Sequence, residues 1–163
     1  MQFNANIQKI IKTHLKIINI VDGDGLIVED IFTKEQEEIR LLGIDAPEVK
    51  RCRKLRMDEK ETHMAGELLI HLGHISHKYL IDLVKTEEMI TIALEKNNRS
   101  DFYGRTLAYV FLTDGTCVNE KMITEGYAKP LNEYYCEELS NYQILNLNSK
   151  QNKKGLYALV DNF

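Results

Sequence analysis

The first third of the chain alternates short apolar runs with polar turns, which is the pattern of antiparallel β-strands. Two strands are predicted at residues 14–20 and 26–32, with a turn rich in aspartate and glycine between them. A polar turn at 33–38 leads to a third predicted strand at 39–44, which is apolar except for Arg40. A charged side chain in such a run either lies at a sheet edge or points into a functional site.

The middle of the chain changes to a helical period. Residues 58–72 place apolar side chains three and four positions apart, which predicts a helix. Gly73 is expected to break this helix, and a second helical piece is predicted at 76–84. The remaining predicted elements are strands at 89–94 and 105–112 and helices at 118–125 and 133–150.

This order of elements predicts a small closed barrel. The expected class is α+β, mainly β: a five-stranded oligonucleotide-binding (OB) barrel with about three helices and a longer helical segment between strands three and four. The 163 residues are enough for one hydrophobic core, so the chain is expected to form a single domain over 1–163.

The composition, 44% hydrophobic and 28% charged, is typical of a globular protein. No apolar run approaches membrane-spanning length, and residues 1–12 lack the apolar stretch of a secretory signal. The three cysteines are an odd number without paired spacing, which favours reduced thiols. We therefore expect a cytoplasmic monomer without a membrane partner, or a secreted protein if a leader has been removed.

The net charge of −4 disfavours an extended nucleic-acid-binding surface. The charge is unevenly spread, because five cations crowd into the basic segment 50–56: Lys50, Arg51, Arg53, Lys54 and Arg56. This segment is either a solvated loop or a local electrostatic guide for a polyanion beside a functional site.

Three carboxylates are placed where they could share one cation. Asp24 begins the second predicted strand and Asp45 ends the third, so a hairpin would bring them to the same end. Pro47 bends the chain, which allows Glu48 to return towards the same place. Carboxylate oxygens suit a hard divalent ion. Each piece alone is more often a structural turn or cap than part of a functional site.

The charges predict metal-assisted chemistry on a phosphate ester. Asp24 and Asp45 are the expected metal ligands, and Glu48 is the expected general base that deprotonates a water. Arg40 and Arg105 are expected to neutralise the extra negative charge of the transition state.

Three ordered motifs are more specific than any single residue. Asp-Gly-Asp-Gly spans 22–25, Arg-Leu-Leu-Gly-Ile-Asp-Ala-Pro-Glu spans 40–48, and Asp-Phe-Tyr-Gly-Arg-Thr-Leu-Ala-Tyr-Val spans 101–110. Together they resemble the staphylococcal (micrococcal) nuclease family, and segments 126–129 and 154–157 also fit its pattern. The resemblance implies an OB barrel with three helices and a core at about 14–157. It also implies calcium-dependent cleavage of DNA and RNA phosphodiester bonds.

The resemblance assigns roles to individual residues. It implies that Asp24, Asp45 and the backbone carbonyl of Ala46 bind Ca²⁺. It supports the base role of Glu48 and the phosphate role of both arginines, and it makes Asn119 a structural anchor. The expected substrate contacts are Asp101 and Tyr103 in one loop, Tyr134, and, on charge grounds, Lys50, Arg51 and Arg53. The sequence departs from the family in three ways. Ala46 replaces a threonine, which a backbone ligand tolerates, Phe102 replaces a phosphate-contacting lysine, and the helical insert at 73–87 is longer.

Two other functions remain open at the level of sequence. One is a non-catalytic nucleic-acid- or protein-binding module on the same barrel. The other is a structural barrel whose acidic cluster only binds calcium, which would require internal ion pairs for Arg40 and Arg105. The triplet His71, His74 and His77 is interpreted as part of a solvent-facing helix, with zinc binding as the weaker alternative.

Overall fold

The computed structural model describes residues 8–163. These residues contain seven strands: β1 (Lys9–Ile20), β2 (Gly25–Asp30), β3 (Gln36–Leu41), β4 (Ile44–Asp45), β5 (Met89–Glu95), β6 (Thr106–Leu112) and β7 (Lys129–Pro130). Five of them form a closed barrel in the order β1-β2-β3-β6-β5. Neighbouring strands are antiparallel except β3 and β6, whose parallel pairing closes the barrel. The predicted five-stranded OB barrel is confirmed.

Within residues 8–163, four α-helices surround the barrel, as many as the helical segments predicted along the sequence, whereas the expected fold has about three. They are α1 (Arg53–Thr62), α2 (Gly66–Leu83), α3 (Val118–Thr124) and α4 (Leu139–Gln151), followed by a 3₁₀ turn at Gly155–Ala158. Within residues 8–163, no helix has the length and apolar character needed to cross a membrane.

The prediction of one strand over 39–44 is wrong. β3 ends at Leu41, and Ile44–Asp45 pairs instead with Lys129–Pro130 in a separate two-stranded sheet. Gly43 makes the turn with a φ of +79°, a region that favours glycine. A Cβ atom at Gly43 would also lie 2.6 Å from the Sγ of Cys136. The turn carries Asp45 out of the barrel wall and towards the barrel mouth.

The predicted break at Gly73 is also wrong, because α2 runs through it without interruption. The chain breaks earlier, at His63, whose φ of 55° is left-handed. Gly73 is required for close packing, since an added Cβ would overlap the backbone carbonyl of Glu48. Helix α2 therefore packs directly against the backbone of Glu48, the candidate general base.

The last helix begins at Leu139 rather than at 133, so residues 131–138 form a loop. Asn119 of α3 is fully buried, and its Oδ1 accepts a hydrogen bond from the Val110 amide at 2.9 Å. Its Nδ2 donates to the carbonyls of Leu42 and Ala108, both at 3.0 Å. The predicted anchoring role of Asn119 is confirmed: it ties α3 to the middle of β6 and to Leu42, which directly follows β3.

Candidate active site

Asp24 connects the first turn to the end of the third strand, as the hairpin argument predicted. The turn is held by the Val21 amide, which donates to the Gly25 carbonyl at 2.9 Å. The Oδ2 of Asp24 accepts a hydrogen bond from the Ala46 amide at 2.8 Å and lies 3.1 Å from Nη1 of Arg40. Only 7% of Asp24 is exposed. This buried carboxylate therefore joins the two principal sequence motifs.

Arg40 lies between two carboxylates at the end of β3. It is paired across the strands with Gly25, and its Nη2 lies 3.2 Å from Oδ1 of Asp45 while Nη1 contacts Asp24. Nη1 also donates to the Ile44 carbonyl at 2.9 Å. Burial opposes its charge, but Asp24 and Asp45 outweigh burial and raise the pKa of the guanidinium. Arg40 thus supplies a positive charge that its contacts with Asp24 and Asp45 hold in place beside the acidic cluster.

The positive charge of Arg40 does not fully offset the cost of burying the ionised Asp24 carboxylate. Burial is the main effect and raises the pKa of Asp24 to about 7; Arg40 lowers it, whereas Asp22 and Asp45 raise it further. The Ala46 amide also favours the ionised form. The raised pKa means that ionised Asp24 lacks sufficient nearby positive charge.

Lys54 is the site residue that the sequence analysis did not single out. Its Nζ lies 3.1 Å from Oδ2 of Asp45, 3.5 Å from Oε1 of Glu48 and 3.1 Å from Oδ2 of Asp58. Burial lowers the pKa of this ammonium group, but the three carboxylates more than reverse that effect. The only available signal was the i, i+4 spacing of Lys54 and Asp58, which is common on exposed helices.

Arg105 approaches the same region from the loop before β6. Its Nε lies 2.7 Å from Oδ2 of Asp101, and its Nη1 is 4.0 Å from Glu38. Oδ1 of Asp101 also accepts hydrogen bonds from the amides of Tyr103 and Arg105. Asp101 therefore shapes the loop and orients the arginine.

A cavity of about 680 Å³ lies between these elements. Arg40, Asp45 and Lys54 line one part of it, and the loop containing Asp101 and Arg105 lines another. Four aromatic side chains also line it, each mainly exposed to solvent: Phe102 (97%), Tyr103 (83%), Tyr134 (68%) and Tyr135 (70%). The cavity therefore combines cations, carboxylates and exposed aromatic rings.

Comparison with known proteins gives the family. A family model described as "Staphylococcal nuclease homologue" matches residues 38–158, which is most of the chain and includes the site except Asp24. The chain belongs to the staphylococcal nuclease homologue family. The resemblance read from the sequence motifs is confirmed.

Relatives of this staphylococcal nuclease homologue are moderately similar. "Uncharacterized protein MJ1439" of Methanocaldococcus jannaschii is 27% identical, with 90% of this chain and 72% of the relative covered. "Uncharacterized endonuclease" of Escherichia coli O157:H7 is 27% identical, with coverages of 91% and 79%. "Thermonuclease" of Staphylococcus hyicus is 31% identical, with coverages of 70% and 57%.

The acidic side chains of this family member fit a hard divalent ion by type and charge. Within residues 8–163, no three His, Cys, Asp or Glu side chains form a ready-made metal cluster. The carboxylates are instead engaged by Arg40 and Lys54. Four carboxylates contact these two cations, which leaves an excess of two negative charges: Asp24, Asp45, Glu48 and Asp58. Oxygen donors with this excess are what calcium prefers.

The predicted substrate contacts divide into two groups in this staphylococcal nuclease homologue. Asp101, Tyr103 and Tyr134 line the cavity. The basic residues Lys50, Arg51 and Arg53 are exposed and do not line it, and Arg51 forms an ion pair with Glu67.

The histidine triplet is only partly solvent-facing. His71 and His74 are exposed, but His77 is half-buried, and its Nε2 lies 2.8 Å from the carbonyl oxygen of Ile20. His77 therefore helps to attach α2 to the end of β1.

Proposed function

We propose that this protein is a calcium-dependent nuclease that hydrolyses phosphodiester bonds of DNA or RNA. The observation that carries the proposal is the position of Asp45. Its two oxygens contact Arg40 and Lys54, and its side chain lines the same cavity as Arg105 and the exposed aromatic rings. The family and the endonuclease and thermonuclease names of its relatives support this chemistry.

Asp24, Asp45 and the backbone carbonyl of Ala46 are the proposed holders of the calcium ion. When bound, the ion polarises a phosphoryl oxygen and offsets developing negative charge. The Ala46 amide already donates to Asp24, so the peptide and the carboxylate are fixed relative to each other. The two excess negative charges of the carboxylate group equal the charge of one calcium ion.

Glu48 is the proposed general base. About a quarter of its side chain is exposed, so water can reach it. Close packing of Gly73 on its carbonyl fixes the backbone, which limits the positions that the carboxylate can reach. Its role is to accept a proton from the water that attacks phosphorus.

Arg40 and Arg105 are the proposed stabilisers of the transition state. Arg105 is about a quarter exposed and is tied at Nε, with Nη1 only at long range from Glu38, so its guanidinium can address a phosphate in the cavity. Arg40 is more tightly held by two carboxylates. We infer that Arg105 makes the adaptable contact and that Arg40 supplies a fixed charge.

The aromatic rings favour a single-stranded or frayed substrate. Stacking on a protein aromatic ring contributes about 1–3 kcal/mol per base and requires a base that is not stacked within a duplex. Phe102 and Tyr103 lie in one loop and Tyr134 and Tyr135 in another, on the rim of the same cavity. Bases held by the rings would place the connecting phosphate near Arg105.

Cleavage assays with and without calcium test the proposal. The wild type should cleave single-stranded DNA or RNA with CaCl₂ and lose activity with a chelator. Glu48→Gln keeps the size of the side chain but removes the base, so kcat should fall by roughly 10²–10⁴ while affinity for DNA holds or increases. Arg105→Gln should reduce both kcat and affinity.

A second function is favoured by the internal ion pairs of both arginines. These pairs are the condition under which the barrel would be structural, with an acidic cluster that only binds calcium. The same assays distinguish the two functions. Calcium binding by the wild type without cleavage would favour the structural barrel. Nucleic-acid binding without calcium-dependent cleavage, and with no effect of Glu48→Gln on any activity, would favour the non-catalytic binding module.

A further inference from the structure

Lys54 contacts two carboxylates to which the proposed nuclease function assigns other roles, Asp45 in calcium binding and Glu48 in proton transfer. Its ammonium group is 3.1 Å from Asp45, a proposed calcium ligand, and 3.5 Å from Glu48, the proposed base. The third contact, Asp58 at 3.1 Å, has no role in the proposed reaction. One positive charge therefore lies among three carboxylates at the site where a cation is expected.

The position of Lys54 follows from the way in which α1 begins. The Sγ of Cys52 caps the helix by accepting a hydrogen bond from the Leu55 amide at 3.4 Å, and Leu55 is buried. These contacts fix the first turn. Asp58 lies one turn further along and holds the ammonium group. The helix thus delivers this lysine to the acidic cluster, whereas its neighbour Arg53 is exposed.

The ammonium group and a divalent ion compete for the same negative charge. Two like charges about 4 Å apart repel each other several times more strongly near a protein surface than in bulk water, because the effective dielectric constant is lower. The repulsion between Lys54 and an ion bound to Asp45 would therefore be large unless the lysine moves. Lys54 is about a third exposed and lines the cavity, so its side chain has room to leave while Asp58 retains it nearby.

We propose that Lys54 is a built-in countercation: it neutralises Asp45 and Glu48 in the metal-free protein and is exchanged for the divalent ion when that ion binds. The inference rests on the proposed calcium site. Exchange releases Glu48 from its ion pair and leaves an ammonium group at the cavity, facing incoming phosphate. Lys54 is thus a positioning residue that acts through Asp45 and Glu48.

Calcium affinity tests the exchange. Metal-stripped wild type, Lys54→Met and Lys60→Met are titrated with CaCl₂ by calorimetry, without substrate. Lys60 is an exposed lysine on the same helix, so its replacement is the matched loss of charge. Lys54→Met should bind calcium at least about tenfold more tightly than wild type, which corresponds to about 1.4 kcal/mol. Lys60→Met should bind as the wild type does.

Thermal unfolding gives a second readout that does not depend on activity. Without calcium, Lys54→Met should melt at a lower temperature than wild type, because the carboxylates lose their countercation. With saturating calcium, its melting temperature should rise by more than that of wild type. If Lys54→Met is too unstable to measure, Lys54→Gln replaces it, since the amide retains polar contacts without the charge.

Unchanged or weaker calcium binding by the Lys54 variant would overturn the proposal, as would the absence of measurable binding in both proteins. An equal gain in affinity for Lys60→Met would also overturn it, since the effect would then be one of net charge. Cleavage by the wild type tests the nuclease function separately. An active enzyme whose calcium affinity is insensitive to Lys54 would contradict only the exchange.

Discussion

Asp24 is a buried carboxylate whose negative charge its neighbours only partly compensate. Folding raises its pKa from 3.8 to about 7, so between these values the folded protein holds a proton that the unfolded chain has lost. The stabilising contribution is fully present below about pH 4 and is lost as the pH rises through about 7. Calcium, by favouring the ionised form, should reduce this dependence.

The pH dependence of stability in the metal-free protein should therefore reveal Asp24. Relative to wild type, Asp24→Asn should gain unfolding free energy between pH 4.5 and pH 8, because about 1.4 kcal/mol accompanies each unit of pKa displacement that it removes. Urea denaturation in the presence of a chelator measures the difference. Identical pH profiles for the two proteins would contradict the pKa assignment.

For individual residues, the sequence predicts the position of a side chain well where strand pairing constrains it. The hairpin argument predicts that Asp24 and Asp45 meet, and both contact Arg40. Asp45, however, reaches this position on β4 and not at the end of the hairpin strand β3. The sequence does not identify Lys54 as a site residue, because nothing in the five cations of the basic segment shows which side chain turns inward. That choice depends on the cap and on buried Leu55, which are properties of the folded helix.

Among the elements, α2 and the segment that carries Glu48 are coupled through Gly73. Replacing glycine by alanine inside an exposed helix normally stabilises it by about 1 kcal/mol. Here the added methyl group would overlap the backbone carbonyl of Glu48, which cannot move aside as a flexible side chain can. The steric effect should therefore reverse the sign expected from helix propensity.

Gly73→Ala should lower the unfolding free energy by roughly 1–3 kcal/mol, as overpacking does elsewhere. It should also reduce kcat, because Glu48 would be displaced. The control is His74→Ala, at an exposed position of the same helix, which should leave both quantities nearly unchanged. Stabilisation by Gly73→Ala would show that the contact relaxes and that the helix does not fix Glu48.

The exposed residues Lys50, Arg51 and Arg53 of the basic segment lie outside the cavity lining and are expected to act as an electrostatic guide for DNA. Neutralising Lys50, Arg51 and Arg53 together should weaken DNA binding and flatten its salt dependence, because fewer counterions are released. Lys54 is left intact, since it contacts the acidic cluster. The kcat at saturating substrate should change little. A large loss of kcat with an unchanged salt slope would place these residues in the reaction itself.

Element boundaries were predictable where the hydrophobic period was regular. The barrel strands were found by alternation, with errors mainly at their ends. The division between β3 and β4 was missed because 39–44 is uniformly apolar around Arg40, and only the left-handed turn at Gly43 separates them. The sequence predicts a helix break at Gly73 because it does not show that the backbone of Glu48 occupies the space that a side chain at position 73 would need.

For the whole molecule, the net charge and the charges around the cavity lead to different expectations about nucleic-acid binding. The chain carries −4 overall, whereas its cavity is lined by equal numbers of cations and carboxylates: Arg40, Lys54 and Arg105, and Asp45, Asp101 and Glu133. Further negative charge lies next to the cavity, where Asp24 contacts Arg40 and Glu48 contacts Lys54. A cation that binds only the folded state therefore relieves repulsion in the site and stabilises the entire barrel, by RT ln(1 + [Ca²⁺]/Kd).

Millimolar CaCl₂ should raise the melting temperature of the protein, and a chelator should reverse the change. At a hundredfold excess over Kd the gain is about 2.7 kcal/mol. Asp45→Asn should abolish most of the shift, whereas Asp82→Asn, at an exposed position of α2, should retain it. Magnesium should give a smaller shift, because it requires stricter octahedral geometry. A melting temperature that calcium leaves unchanged, with and without an oligonucleotide, would refute the metal site and with it the proposed mechanism.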